Sequence, residues 1–108
     1  MARKPRKLTI VYGELSERQL AKVWLWNAER DGATHADNYV AFLHTQVEKL
    51  RSEYGRGKLV PNRPEYRYVI VKRRKHAHGH LAVYLVLESH VHILGVYHTS
   101  ENWTEKLP

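Results

Sequence analysis

One apolar stripe in the middle of the chain limits the possible folds more than any other feature. Between residues 36 and 54, apolar side chains recur at alternating steps of four and three residues. This spacing puts them on one face and predicts a long amphipathic helix with a single buried side. Such a helix has to pack its stripe against a second apolar layer. The stripe consists of Ala36, Val40, Leu43, Val47, Leu50 and Tyr54.

Another helix is predicted immediately before the long one. Ser16 followed by Gln19 has the spacing of a capping box, so Ser16 is the expected N-cap. The helix should end near Gly32, because glycine readily adopts the left-handed conformation of a C-terminal cap. Thr34 and Asp37 form a weaker capping pair for the long helix. The predicted buried stripe of the first helix consists of Leu20, Val23, Trp24 and Ala28.

Four segments have the composition and alternation of β-strands. The links between the last three are the hairpin-length segments KHAHG and ESH, so these strands should pair as an antiparallel meander. Residues 55–64 contain two glycines and two prolines and are expected to form a loop. The order β-α-α-β-β-β predicts an α+β fold, an antiparallel sheet with two helices packed on one face. The predicted strands are Lys7–Tyr12, Tyr66–Arg74, His80–Leu87 and Val91–His98.

Length and composition restrict the class of protein. The 108 residues suit a single domain, with residues 1–6 as a basic N-terminal arm and residues 99–108 as a C-terminal tail. The absence of cysteine excludes disulfides and cysteine-based zinc sites and favours a reducing compartment. No run of about 18 apolar residues occurs, so we expect no membrane span and a cytoplasmic protein. The net charge of +7 implies a polyanionic or acidic partner.

The most basic segment, KRRKHAHGH at residues 72–80, admits three interpretations. Its three histidines stand at every second position and could coordinate a metal ion if the segment stayed extended. A glycine interrupts that alternation and no carboxylate or cysteine lies beside it, so we expect no metal ion and no cofactor. The segment could instead contact nucleic acid, or be the solvated tip of a hairpin. The residues concerned are Arg73, Arg74, Lys75, His76, His78 and His80.

Three longer segments, taken in order, resemble the RelE/ParE superfamily, the toxins of bacterial type II toxin–antitoxin pairs. They are LSERQLAKVWLWNAERDGATHADNYVAFLHTQVEKL, VPNRPEYRYVIVKRRKHAHGHLAVYLV and ILGVYHTSENW, and the resemblance spans Leu8–Trp103. Arg67 opens the second predicted strand, His80 and Tyr84 lie in the third, and His98 ends the fourth. The resemblance implies the fold described above and a cognate antitoxin with an acidic C-terminal segment that wraps over the toxin.

The superfamily contains two functional groups, and the resemblance is greater to one of them. RelE-like members cleave messenger RNA at the ribosome, whereas ParE-like members inhibit DNA gyrase. PNRPEYR and YHTSENW are more similar to ParE-like members, so a gyrase inhibitor that is not an enzyme is the first expectation. A metal-independent ribonuclease would need general acid–base groups and cations, for which the resemblance implicates Lys58, Arg67 and His98. A non-toxic nucleic-acid-binding module is the third alternative.

Eleven side chains are candidates for contacting the target or the antitoxin. Trp26 lies off the predicted buried stripe of its helix, so it is either a second packing contact or an exposed anchor for a partner. Arg67 could instead pair with Glu65 or Glu88, and Tyr84 and His98 could be satisfied inside the fold. The full set is Trp26, Arg67, Arg73, Arg74, Lys75, His80, Tyr84, His92, Tyr97, His98 and Trp103.

Overall fold

The computed structural model describes residues 6–74 and 78–108. One strand is followed by two long helices, and then by the strands that complete a single five-stranded sheet. The predicted α+β class and the order of the long elements are therefore confirmed. The elements are β1 (Thr9–Tyr12), α1 (Glu14–Asp31), α2 (Ala33–Glu48), α3 (Leu50–Glu53), β2 (Lys58–Val60), β3 (Arg63–Val71), β4 (His80–Val86), β5 (His90–His98) and a 3-10 turn at Trp103–Glu105.

The sheet is mixed, and the expectation of a wholly antiparallel sheet is wrong for its first strand. The strand order is β1-β5-β4-β3-β2. The four strands from β2 to β5 pair antiparallel, whereas β1 pairs parallel with β5, with Thr9 opposite His90 and Tyr12 opposite Ile93. Parallel neighbours need a long crossover, and the whole segment from α1 to β4 lies between these two strands. The first and last strands thus meet at one side of the sheet.

The segment predicted as a loop between the helices and the meander contains the short edge strand β2. Its residues pair antiparallel with the first half of β3, and the register shifts between Leu59 and Val60. The turn that joins the two strands places Asn62 at a φ of 64°, a conformation that asparagine tolerates better than most residues. The glycines and prolines that predicted a loop flank this strand, which explains why it was missed.

The two long helices differ in how closely they follow the predicted pattern. Of the stripe predicted for α1 only Leu20 is buried, while Asn27 is buried outside that stripe and the rest, Val23, Trp24 and Ala28, are half-buried. Gly32 has a φ of 93° and separates α1 from α2, as predicted. The long apolar stripe is divided between α2 and α3, with an interruption at Lys49. Its members Leu43, Val47 and Leu50 are all buried, so the interruption leaves the buried side continuous.

The capping box expected at the start of α1 is wrong. The helix begins at Glu14 after Gly13, and the buried Ser16 hydroxyl donates a hydrogen bond of 2.7 Å to the Gly13 carbonyl. Gln19 has a different partner, since its side-chain oxygen accepts a 2.7 Å hydrogen bond from the backbone N–H of Val96. β1 ends opposite Ile93, so the later part of β5 has no strand on that side. Gln19 there accepts the hydrogen bond of a backbone N–H group that has no strand partner.

Two apolar clusters lie on opposite faces of the sheet. The larger cluster packs the helices against one face and includes Leu20, Leu43, Val47 and Ile93. The smaller cluster comprises Val60, Leu81, Val83 and Tyr97, and the C-terminal tail closes it with Trp103 and Leu107. The helices therefore cover one face, as predicted, and the tail covers part of the other.

Candidate functional site

An open groove lies between α1 and the adjacent ends of β4 and β5. Its volume is about 740 Å³, which is within the range of pockets that hold small ligands. The groove exists because β1 is short: beyond Ile93 nothing pairs with β5 on that side, and α1 faces it. The lining residues are Gln19, Lys22, Val23, Trp26, Asn27, Arg30, Tyr39, His78, Gly79, His80, Val96, His98, Ser100 and Glu101.

The wall formed by α1 presents an aromatic ring between two cations. Lys22, Trp26 and Arg30 follow one another at steps of four residues, which places them on the same side of the helix. The Trp26 side chain is 55% exposed, so the prediction that it lies off the buried stripe is confirmed. The Arg30 guanidinium carbon lies 4.2 Å from the centroid of the Trp26 ring, a cation–π contact. Its proposed role in binding a partner stays a prediction.

The floor of the groove contains a hydrogen-bonded pair that joins α2 to the sheet. The Tyr39 hydroxyl lies 2.6 Å from Nδ1 of His80. Burial, and secondarily the nearby His98, lowers the pKa of His80 from 6.5 to about 4, while Glu101 acts in the opposite direction. His80 is therefore neutral near pH 7 and already has a partner. Burial raises the pKa of Tyr39, against the charge of Arg73.

The wall opposite α1 is built around His98 at the end of β5. The backbone N–H of Ser100 donates to Nδ1 of His98 at 3.2 Å, and the Ser100 hydroxyl lies 2.6 Å from the same atom. An N–H group can only donate, so this nitrogen is an acceptor and the proton of the neutral ring is on Nε2. The His98 ring stacks edge-on against His80, with 5.2 Å between centroids, and lies 5.7 Å from the ring of His78.

Glu101 is the one carboxylate among the described residues that line the groove. It accepts a 2.9 Å hydrogen bond from the backbone N–H of His98 and forms a 2.9 Å ion pair with Lys106. Burial alone would raise the pKa of Glu101, but these two contacts outweigh it and hold the pKa below its ordinary value. The charge of Glu101 is thus compensated by neighbours in the tail.

The three residues implicated in ribonuclease activity do not form a cluster. Arg67 and His98 are on the same face, but Arg67 is four residues from the β3 position in line with His98, about 13 Å along the strand. Lys58 is opposite Tyr68 on the edge strand β2, and Tyr68 belongs to the cluster on the other face of the sheet. A reacting phosphate could not contact all three side chains in this arrangement.

Arg67 and Tyr84 hold a loop in place. Arg67 donates to the carbonyl of Gly57 at 2.8 Å and to that of Gly55 at 3.4 Å, and it pairs with neither glutamate considered from the sequence, Glu65 or Glu88. The Tyr84 hydroxyl donates to the Tyr54 carbonyl at 2.7 Å and accepts from the Gly57 N–H at 3.1 Å.

Several predicted contact residues have to be reassigned because they lie inside the fold. Tyr84 is fully buried and Tyr97 is 2% exposed, so neither can serve as a surface contact. Trp103 packs against Tyr68 with 4.8 Å between ring centroids and helps to close the second apolar cluster. For Tyr84 the alternative of a ring inside the fold with a bonded hydroxyl is the correct one, and the rings of Tyr97 and Trp103 are also needed for packing.

The remaining predicted contacts are spread over the surface. Arg73 and Arg74 are exposed after the end of β3, and the Arg73 guanidinium lies over Tyr39 and Phe42 at 5.4 and 5.2 Å. His92 is half-buried, beside the backbone of Gly13. The predictions for Lys75 and His76 lie outside the described residues. Within residues 6–74 and 78–108, no group of three histidine, aspartate or glutamate side chains is arranged to hold a metal ion.

The groove also contains residues that the sequence interpretation missed. Asn27 is buried on α1 where an apolar side chain would be expected, and its amide donates to the Val23 carbonyl at 2.8 Å. Tyr39 sits next to the apolar stripe of α2, which was the available signal for it. Nothing in the sequence marked Gln19 and Glu101, because their roles depend on where β5 no longer has β1 beside it.

None of the helices in the described part of the chain is both long and apolar enough to cross a membrane.

Comparison with known proteins identifies the family. Residues 10–103 match the model of the ParE toxin of the type II toxin–antitoxin system parDE. The chain belongs to the ParE toxin family. Among solved structures, this ParE-family chain is similar to one from the chromosomal ParDE toxin–antitoxin system of P. aeruginosa, with a TM-score of 0.72 and 17% identity, over 86% of this chain and 97% of that one. No curated protein matches the chain.

Proposed function

We propose that this ParE-family protein arrests growth by inhibiting DNA gyrase and is neutralised by a cognate antitoxin. The observation that carries the proposal is the family match over residues 10–103, which covers both helices and all but the first residue of the sheet strands. The proposed target would place the protein in the cytoplasm, where gyrase acts.

The second candidate function, ribosome-dependent cleavage of messenger RNA, has less support. A metal-independent ribonuclease needs an acid, a base and cations around one phosphate. The side chains implicated for that chemistry, Lys58, Arg67 and His98, are far apart, and Arg67 is already bonded to two loop carbonyls. His98 is also engaged, with Ser100 on its Nδ1 nitrogen.

The surface of the protein suits an acidic antitoxin segment. The net charge of +7 would attract such a segment and speed its association. Arg73 and Arg74 are exposed beside α2, and Trp26 offers a large aromatic surface on α1. Exposed aromatic and arginine side chains are the residue types that dominate protein–protein contacts. We therefore propose that the antitoxin covers the surface from Trp26 to the end of β3.

Expression of the chain alone from a tightly repressed promoter separates the two functions. A gyrase inhibitor should induce the DNA-damage response and filamentous cells, whereas a ribonuclease should stop translation within minutes. His98→Ala and Lys58→Ala should leave the toxicity of a gyrase inhibitor unchanged and abolish that of a ribonuclease. Coexpression of the antitoxin gene from the same operon should restore growth. Translation arrest that depends on His98 or Lys58 would overturn the proposal.

A further inference from the structure

The groove beside α1 has an aromatic ring, cations and a hydrogen-bonding wall within one pocket. We propose that it binds a phosphorylated nucleoside, with the base stacked on Trp26 and the phosphate held by Lys22. This inference goes beyond inhibition of gyrase and does not depend on it. The ligand chemistry is shared by a free nucleotide and by the phosphorylated end of a nucleic-acid strand.

Trp26 is the reason to expect a base. Its ring is 55% exposed although it stands in the wall of a groove. The other two tryptophans are engaged, Trp24 by a 2.7 Å hydrogen bond from its indole nitrogen to Asp37 and Trp103 by packing on Tyr68. Exposed indole rings are favourable platforms for nucleobases, because every base has a flat π-face. The Arg30 guanidinium lies over one face of this ring, so a base would stack on the other face.

Lys22 is placed to reach a phosphate next to a stacked base. It is four residues from Trp26, which is about 6 Å along the helix axis. Among residues 6–74 and 78–108, Lys22 forms no ion pair, so no carboxylate competes with a ligand for its ammonium group. Arg30, on the other side of Trp26, contacts the exposed Asp31 at 3.1 Å; a pair this exposed is weak and leaves positive charge beside the ring.

The opposite wall supplies hydrogen bonds without an opposing net charge. Since Nδ1 of His98 accepts from Ser100, its Nε2–H remains a donor for a ribose hydroxyl or a phosphate oxygen. Glu101 would repel an anion, but Lys106 compensates its charge. Val23, Tyr39 and Val96 complete a floor with large apolar portions. An acidic antitoxin segment could use the same cation and the same ring, so antitoxin and nucleotide would exclude each other from the groove.

Titration of the purified protein with adenosine 5′-monophosphate at low salt tests this inference by NMR. The three tryptophan indole N–H resonances report separately on Trp24, Trp26 and Trp103. The resonance of Trp26 should shift and those of the other two should not. Adenosine and ribose 5-phosphate, which each lack one half of the ligand, should bind more weakly than the nucleotide.

Matched variants locate the contacts. Trp26→Ala should weaken binding roughly tenfold or more, and Trp26→Phe should retain much of it. Leu25→Ala should have no effect, because Leu25 is 52% exposed on the same helix but does not line the groove. Lys22→Gln should weaken binding and reduce its salt dependence, whereas Arg18→Gln should not.

A 5′-phosphorylated oligonucleotide distinguishes the two sources of the ligand. Tighter binding of the oligonucleotide than of the mononucleotide would identify a strand end, and equal or weaker binding would identify a free nucleotide. The proposal is overturned if no indole resonance shifts at millimolar nucleotide, or if Trp26→Ala binds as tightly as the unmodified protein. It is also overturned if a glutamate-rich peptide shifts Trp26 while the nucleotide does not, since the groove would then be a protein-docking surface.

Discussion

Two regions on the helical side of the sheet contain similar polar residues but use them differently. At the α3–β2 loop, Arg67 and Tyr84 form hydrogen bonds with the backbone of residues 54–57. At the groove, Trp26 is largely exposed and Lys22 forms no ion pair within the described residues. An arginine or tyrosine that is bonded to the backbone of a loop contributes to stability. Side chains that line a groove and whose rings or charged groups have no internal partner remain available for a binding partner.

The loop region should show the largest effect on stability. Tyr84→Ala should lower the free energy of unfolding by about 3–5 kcal/mol, because it leaves a cavity in the core. Tyr84→Phe removes only the hydroxyl that bonds Tyr54 and Gly57, and should cost about 1–3 kcal/mol. Urea denaturation measures both. Leu25→Ala, at an exposed position, is the control and should change stability by less than about 0.5 kcal/mol. Equal stability of Tyr84→Phe and the unmodified protein would contradict the comparison.

His80 belongs to the groove but is partly buried, and its effect should depend on pH. Its pKa falls from 6.5 to about 4 on folding, so the unfolded chain binds more protons between these values. The free energy of unfolding is therefore highest above about pH 6.5 and decreases as the pH falls toward about 4.

After allowance for the partly exposed ring, the loss should be about 2 kcal/mol, measured by urea denaturation at several pH values. His80→Gln should remove this slope, while His90→Gln should keep it. A slope that survives in His80→Gln would show that another group is responsible.

Substitution of Arg67 should lower stability moderately and should affect toxicity only through that loss of stability. Arg67→Ala removes charge-assisted bonds to Gly57 and Gly55 and should cost about 1–2 kcal/mol. Arg74→Ala, at an exposed arginine, should be nearly neutral. Any loss of toxicity in Arg67→Ala should be recovered at a lower growth temperature. Complete loss of toxicity in a folded Arg67→Ala protein would instead indicate direct contact with the target.

The smallest effect on stability should come from Trp26. Trp26→Ala should change the free energy of unfolding by less than about 1 kcal/mol, because more than half of the side chain is already in water. Antitoxin binding should weaken by at least about 1 kcal/mol if Trp26 anchors the complex. Thermal denaturation and titration calorimetry measure the two quantities. If Trp26→Ala instead lost much stability and bound the antitoxin as before, Trp26 would be a structural residue like Tyr84, and the distinction between the groove and the loop would fail.

The parts of the fold that were predicted from the sequence depend on local pattern. The spacing of Leu43, Val47 and Leu50 determines which side of the helix is buried, wherever the helix packs. The same kind of spacing correctly placed Trp26 off the buried stripe of its helix. The parallel pairing of β1 with β5 could not be predicted in this way, because it depends on contacts between the two ends of the chain.

The groove could not be predicted from the sequence, because it results from the place where β1 stops. Because β1 has only four residues, the end of β5 has no strand neighbour on that side, and nothing in the sequence near Val96 indicates this. The internal partners of Arg67 and Tyr84 could not be predicted for a related reason. Their partners are backbone groups of Tyr54, Gly55 and Gly57, whose positions are set by the folded loop. A polar residue can be recognised in a sequence, but its partner often cannot.

The supercoiling activity of purified DNA gyrase in the presence of the purified protein tests the central claim most directly. We predict that supercoiling decreases, or that cleaved DNA accumulates, with increasing concentration of the protein. His98→Ala should inhibit as well as the unmodified protein, and prior addition of the antitoxin should remove the inhibition. Undiminished supercoiling at a large excess of a folded protein, with growth arrest still observed in cells, would contradict the proposed function.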